Sequence, residues 1–89
     1  MNTITIYTTA TCGFCHMLTN FLDDHSITYT KKRADENEEY AHELYELSGQ
    51  LGVPFSVVED EKGAVIESIL GFDVVALNRL IQNGTLTKK

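Results

Sequence analysis

The sequence predicts one α/β domain in which a four-stranded mixed sheet is flanked by three helices, giving three layers. Several short stretches alternate polar and apolar or β-branched residues, and the segments between them repeat apolar residues every three or four positions. The polar segment 60–63 ends in glycine and separates two β-branched stretches, which predicts an antiparallel hairpin. The predicted order of elements is β-α-β-α-β-β-α.

The first three elements are predicted from the N-terminal third of the chain. Residues 3–8 alternate in period two and predict a strand, and residues 27–32 alternate Ile27 and Tyr29 with threonines and predict a second one. A strand, a helix and a strand of this length form a right-handed crossover with parallel strands. The intervening helix is predicted over 13–25, with an apolar face made of Phe14, Met17, Leu18, Phe21 and Leu22.

The remaining elements are predicted in the same way. Residues 35–48 predict a helix that ends at Gly49, 54–59 and 64–69 predict the hairpin strands, and a last helix begins at Val74 and ends near 83–84. The apolar residues at helical offsets are Tyr40, Leu44 and Leu47 in the first of these helices and Val74, Leu77, Leu80 and Ile81 in the second.

Length and composition exclude several classes of function. With 89 residues and 43% hydrophobic residues the chain makes one globular domain, 1–89. Its net charge of −6 argues against a nucleic-acid partner, because phosphates would be repelled. No segment has the length of a membrane span, and the N-terminus lacks the pattern of a signal peptide. We expect a cytoplasmic monomer with no nucleic-acid partner and no membrane association.

The most informative feature is a cysteine pair, Cys12 and Cys15, between the predicted first strand and first helix. A helix N-terminus carries free backbone N–H groups and a partial positive charge, which stabilise a thiolate. We therefore expect Cys12 to be nucleophilic when it is reduced. Cys15 lies about one turn further along the same helix edge, so its sulfur can reach that of Cys12 and resolve a mixed disulfide.

Two alternatives for the pair are a structural disulfide and half of a zinc site. A disulfide that closes so short a loop would stabilise the fold by only about 2 kcal/mol. A zinc site needs further ligands, but there is no second cysteine pair, and His16, His25 and His42 lack the close spacing of two zinc ligands. The residues favour a redox pair, and we predict no metal ligands.

The order of elements and four short motifs make the chain resemble the minimal thioredoxin fold as it is built in glutaredoxins. The resemblance spans essentially the whole chain. Its motifs are the strand end Ile6-Tyr7-Thr8, the segment Cys12-Gly13-Phe14-Cys15, the triplet Gly52-Val53-Pro54 and the stretch Leu70-Gly71-Phe72-Asp73.

The resemblance implies a role for the residues that match these motifs. Cys12 matches the attacking cysteine and Cys15 the resolving one. Pro54 matches a cis-proline that faces the pair, and Val53 matches the residue whose backbone pairs with an extended substrate.

The other matching residues are expected to contact a substrate. Gly13 would let a substrate backbone approach, and Phe14 would shield the sulfurs, contact a partner, or pack as an ordinary aromatic residue. Gly71, Phe72 and Asp73 match the stretch where members that use glutathione bind its γ-glutamyl carboxylate.

Three departures from the family pattern bear on glutathione. Thr9 stands where a lysine or arginine is common, Gly52 where threonine is usual, and Leu70 where many glutathione users have a second glycine. The Gly-Phe stretch is similar to redoxins that supply electrons to ribonucleotide reductase and are reduced by thioredoxin reductase. The aromatic residue at Phe14 is similar to that of mycoredoxin-like proteins.

The function implied is that of a thiol–disulfide oxidoreductase, an electron donor in cell redox homeostasis that holds no bound cofactor. Its partners would be disulfide-containing proteins, glutathione or another low-molecular-weight thiol, and ribonucleotide reductase. Glutathione and a thioredoxin reductase are the two candidate electron sources. The alternative is a module that binds an iron–sulfur cluster between two subunits, with Cys12 and two glutathiones as ligands.

Overall fold

The computed structural model describes residues 2–86 and confirms the predicted fold class. Its sheet has the strand order β2-β1-β3-β4, with β1 parallel to β2 and antiparallel to β3, and β3 antiparallel to β4. The elements are β1 (Thr3–Thr8), α1 (Gly13–Asp24), β2 (Tyr29–Arg33), α2 (Glu38–Ser48), β3 (Phe55–Glu59), β4 (Val65–Leu70) and α3 (Val74–Gln82).

One end of the sheet gathers four chain connections. Parallel pairing brings Thr8 at the end of β1 beside Arg33 at the end of β2. Antiparallel pairing places Phe55, the first residue of β3, between Tyr7 and Leu70. The segments that follow β1, β2 and β4 and the segment that precedes β3 therefore meet at this end. Every candidate site residue belongs to one of these segments or to the first turn of α1.

The two faces of the sheet carry separate apolar clusters. Helices α1 and α3 cover one face, and α2 covers the other with a single buried side chain, Leu44. The cluster under α1 and α3 consists of Ile4, Ile6, Leu18, Leu22, Ile27, Val58, Ile69, Leu77, Leu80 and Leu86, and the cluster under α2 of Tyr7, Leu44, Phe55 and Val57.

The predicted apolar face of α1 is confirmed at Leu18 and Leu22 but does not include its first members, Phe14 and Met17. Cys15, Leu18 and Leu22 are buried, whereas Phe14 is 63% exposed and Met17 is 48% exposed. The stripe that faces the sheet begins at Cys15, and Phe14, one residue earlier, is rotated away from it. The exposed aromatic ring thereby becomes part of the surface beside the cysteine pair.

The predicted starts of β2 and α2 are wrong by two and three residues. β2 begins at Tyr29 because Ile27 belongs to the turn that closes α1: its N–H donates to Leu22 O at 2.9 Å, although its side chain is buried. α2 begins at Glu38 because Asn37 is its N-cap, with a side-chain oxygen that accepts from Glu39 N–H at 2.8 Å.

Two smaller observations complete the fold. Gly49 ends α2 as predicted, in the left-handed conformation (φ 76°) that glycine adopts without strain. Among residues 2–86, the helices are all too short or too polar to cross a bilayer.

Candidate functional site

Cys12 is the N-cap of α1, as the sequence predicts. Its backbone is extended (φ −86°, ψ 105°), and its Sγ accepts a hydrogen bond from Cys15 N–H at 3.1 Å. The two sulfurs are joined in a disulfide, with the Cα atoms 5.2 Å apart. The first helical turn therefore provides both the N–H group that faces the Cys12 sulfur and the second cysteine of the pair.

The two cysteines differ in exposure. Cys15 is only 3% exposed and continues the buried stripe of α1, while Cys12 is partly exposed at the helix start. A substrate sulfur arriving from solvent can therefore reach Cys12 but not Cys15. This difference allows one sulfur to react with a partner and the other to react only within the protein.

The segment before β3 lies against the segment after β4. The Val53–Pro54 bond is cis, as the family resemblance implies, and the Pro54 ring is buried. Gly71 N–H donates to Pro54 O at 2.7 Å. Gly71 has φ 79°, a left-handed conformation that a side chain would strain, so this contact depends on glycine. Two of the predicted site segments are thus directly hydrogen-bonded.

A shallow apolar depression joins the first turn of α1 to the start of α3. It brings Phe14 together with Gly71, Phe72 and Asp73, and it continues onto Val75, which is 82% exposed. Val53 and Pro54 do not line this depression. The full lining is Phe14, Leu70, Gly71, Phe72, Asp73, Val74 and Val75.

Phe72 and Asp73, which are expected to contact a substrate, also stabilise the fold. The Phe72 ring packs edge-on against Phe21 at 6.0 Å, at the border of the core. Asp73 is the N-cap of α3, and its Oδ1 accepts from Ala76 N–H at 3.1 Å. Gly13, by contrast, faces open space: a Cβ added there would meet no heavy atom within 4 Å. The surface at Gly13, between the two cysteines in the sequence, is therefore open.

The segment between β1 and Cys12 is held by Asp35, a residue that the sequence predicts at the start of a helix. Asp35 Oδ2 accepts from Ala10 N–H at 3.1 Å, and both Asp35 oxygens accept from Arg33 at 2.9 Å. The Arg33 guanidinium and the Ala10 N–H hold the pKa of the Asp35 carboxyl well below its usual range. The position of Asp35 in the sequence could have indicated this contact. It follows β2 directly, and the carboxyl ends of two parallel neighbouring strands meet at one edge of a sheet.

A small cavity of about 140 Å³, which the sequence does not predict, lies between the first turns of α1 and strands β1 and β2. Thr8 and Cys15 line it, and so does Lys31. Thr8 Oγ1 is buried and has no hydrogen-bond partner among the described residues. The cavity thus lies beside the buried cysteine, between the first helix and the parallel strand pair.

Tyr7, which lies near this end of the sheet, takes no part in the cysteine site. Its buried hydroxyl donates to Glu43 Oε1 at 3.1 Å on the α2 face. Burial, reinforced by Glu43, raises the pKa of Tyr7 above its usual value.

The described part of the chain contains no group of three Cys, His, Asp or Glu side chains arranged to hold a metal ion.

Comparison with known proteins agrees with this geometry. Residues 4–62 match the glutaredoxin family. No protein with a curated description matches the sequence. Among solved structures, the chain is similar to the glutaredoxin-like NrdH-redoxin from Escherichia coli, with 26% identity and a TM-score of 0.72 over 88% of this chain and 93% of that one.

Two further structures show the same fold. A glutaredoxin from Archaeoglobus fulgidus is 24% identical, with a TM-score of 0.73 over 92% of this chain and 88% of that one. A buckwheat glutaredoxin, solved in complex with glutathione, is 21% identical, with a TM-score of 0.62 over 94% of this chain and 72% of that one. Because the family match covers more than half of the sequence, the chain belongs to the glutaredoxin family.

Proposed function

We propose that this protein is a thiol–disulfide oxidoreductase that reduces disulfides in other proteins through Cys12 and Cys15. The observation that carries the proposal is the arrangement of the pair: a partly exposed sulfur at the N-terminus of α1, bonded to a buried sulfur one turn along the same helix. Membership of the glutaredoxin family supports redox chemistry at this pair.

The reaction transfers two electrons from the dithiol to the substrate. The Cys12 thiolate attacks one sulfur of the substrate disulfide, so that a Cys12–substrate bond forms and the substrate S–S bond breaks. The departing substrate thiolate takes a proton from solvent. Cys15 then loses its proton and attacks Cys12 Sγ, which releases the second substrate thiolate. The products are a dithiol substrate and the Cys12–Cys15 disulfide.

The surface beside the cysteines supports a protein substrate. Phe14, Leu70 and Val75 are exposed apolar side chains around the depression, and apolar patches of this kind are typical of sites that contact other proteins. Glutathione, a polar tripeptide, would bury little apolar surface against these side chains, and Thr9 offers no positive charge for its carboxylates. A preference for protein substrates is also supported by the likeness to NrdH-redoxin, whose structure was described as the basis of a thioredoxin-like activity profile.

The test is an insulin-reduction assay supplied with one of two electron sources. We expect turnover with NADPH and thioredoxin reductase to exceed turnover with glutathione and glutathione reductase. Cys12→Ser should abolish turnover with either source. Cys15→Ser should lose insulin turnover and accumulate a Cys12–substrate mixed disulfide, which mass spectrometry detects. Met17→Ser, an exposed change on the same helix, should keep the wild-type rate.

Two outcomes would contradict the proposal. Wild-type turnover by Cys12→Ser would show that another group attacks the substrate. Equal or faster reduction of a glutathione mixed disulfide than of insulin by the wild-type protein would assign glutathionylated substrates to the site instead.

A further inference from the structure

The short loop 9–11, which leads from β1 to Cys12, is held by a carboxylate from another connection. Ala10 N–H donates to Asp35 Oδ2 at 3.1 Å. Of the residues the structure describes, no other one contributes a side-chain hydrogen bond to the backbone of 9–11. The one backbone contact within the segment, from Cys12 N–H to Thr9 O, is long at 3.4 Å. Asp35 is thus the principal tether of the loop that ends at the cysteine pair.

Arg33 fixes the orientation of this tether. Its Nε donates to Asp35 Oδ1 and its Nη2 to Asp35 Oδ2, both at 2.9 Å, a bidentate arrangement that restricts rotation of the carboxylate. Arg33 is the last residue of β2 and pairs with Thr8, so the ion pair is anchored to the sheet directly beside the loop. Glu36 contacts the same arginine at 2.7 Å but does not reach the loop.

The location of Asp35 indicates a role in reactivity rather than in global stability. Partly exposed ion pairs contribute little to folding. The hydrogen bond to Ala10, however, acts two residues before Cys12, whose sulfur faces Cys15 N–H at 3.1 Å. Any rotation of the loop would move that sulfur relative to the free N–H groups of the first turn of α1.

We propose that Asp35 is a positioning residue for the nucleophile. Through Ala10 N–H, its carboxylate holds loop 9–11 in the conformation that keeps the Cys12 sulfur against the first turn of α1, where the thiolate is stabilised. This role rests on the proposed function of Cys12, but it can be measured on the thiol alone.

When Asp35 is replaced by alanine, the proposal and a simple charge effect predict opposite shifts in the midpoint pH of Cys12 alkylation. Removing a negative charge near a thiol favours the thiolate, whereas loosening the loop weakens its stabilisation by the helix N-terminus. In the reduced protein, Asp35→Ala should therefore raise the midpoint pH of Cys12 alkylation by about half a unit and slow alkylation below that midpoint about threefold, the effect of one lost hydrogen bond. Asp35→Asn keeps an oxygen for Ala10 N–H and should restore most of the wild-type profile.

The experiment is iodoacetamide alkylation as a function of pH, followed by mass spectrometry, in a Cys15→Ser background so that Cys12 alone reacts. Glu36→Ala is the matched control, because it removes the same charge and the other acidic partner of Arg33 without touching the loop. It should give no upward shift. Hydrogen exchange of the Ala10 amide is the second measurement and should accelerate in Asp35→Ala but not in Glu36→Ala.

An unchanged or lowered midpoint in Asp35→Ala, or an equal rise in Glu36→Ala, would overturn the proposal. Alkylation involves no substrate disulfide. Failure of this test would therefore leave the insulin assay to be judged separately, and failure of the insulin assay would leave the alkylation profile to be judged on its own.

Discussion

The two faces of the sheet hold their helices by different means. Under α1 and α3 lies a continuous apolar cluster that includes Leu18 and Leu80. Under α2, Leu44 is the only fully buried helical side chain, and the helix is held in addition by Glu43, which accepts from Tyr7 and Lys32. The helices that border the candidate site are thus anchored by burial, and the helix on the opposite face partly by polar contacts. The difference implies that α2 can loosen while the site keeps its geometry.

The largest expected effect is a cavity on the α1 and α3 face. Leu18→Ala should lower the free energy of unfolding by about 2–5 kcal/mol, because a fully buried leucine is removed from the larger cluster. Denaturant unfolding measures the loss, and Met17→Ala on the exposed side of α1 is the control, with a change within about 0.5 kcal/mol. If Leu18→Ala lowered the free energy of unfolding no more than Met17→Ala does, the conclusion that burial anchors the helices of this face would be contradicted.

A cavity under α2 should have a smaller and more local effect. Leu44→Ala should cost about 2–3 kcal/mol, at the lower end of the range for buried leucines, since a helix with one buried side chain can collapse onto the gap. Amide hydrogen exchange should accelerate in α2 while α1 stays protected. Leu47→Ala, at an exposed position of the same helix, serves as the control. Equal acceleration in α1 would show that the two faces unfold as one unit.

The polar contacts of α2 should give the smallest effect and a dependence on pH. The hydrogen bond from Lys32 holds the pKa of Glu43 below its usual value, against the opposing effect of burial. A depressed folded pKa adds stability above the ordinary glutamate pKa, and this stability is lost as the pH falls through the folded value. Since Glu43 is 39% exposed, Glu43→Gln should cost at most about 1 kcal/mol at neutral pH and nothing in strong acid.

Urea unfolding of both proteins across this pH range measures the difference. Glu46→Gln is the matched control, because its contact with His42 is highly exposed and charged only when the histidine is protonated. A stability difference between wild type and Glu43→Gln that grows toward acid would contradict the assigned sign.

Much of the fold, and the centre of the site, could be predicted from the sequence. Period-two alternation located β1, and the turn at 60–63 located the hairpin, because these signals are local. The position of Cys12 at a helix start followed in the same way. The buried stripe of α1 could be predicted only in part, at Leu18 and Leu22, because offsets of three and four residues fit two neighbouring faces of a helix. Cys15 was interpreted as a reactive residue and not as part of the core.

The contacts that orient the loop before Cys12 were not predicted either. An acidic residue at position 35 fits the first turn of a helix, and nothing local distinguishes that role from a bond to a backbone N–H across a strand pair. Asp35 and Ala10 are far apart in the sequence, and only the parallel pairing of β1 and β2 brings them together. Strand order and loop closure therefore decide which carboxylate approaches the cysteine segment.

The unequal exposure of the two sulfurs also gives the chain a built-in reporter of its own motions. In the reduced protein, reagents in solution can modify Cys15 only when the first turn of α1 opens, because the side chain lies in the buried stripe of that helix. Its rate of modification, compared with that of Cys12 in the same molecule, therefore measures how often this helix opens under native conditions. One labelling time course would then yield both the reactivity of the site and the dynamics of the element that carries it.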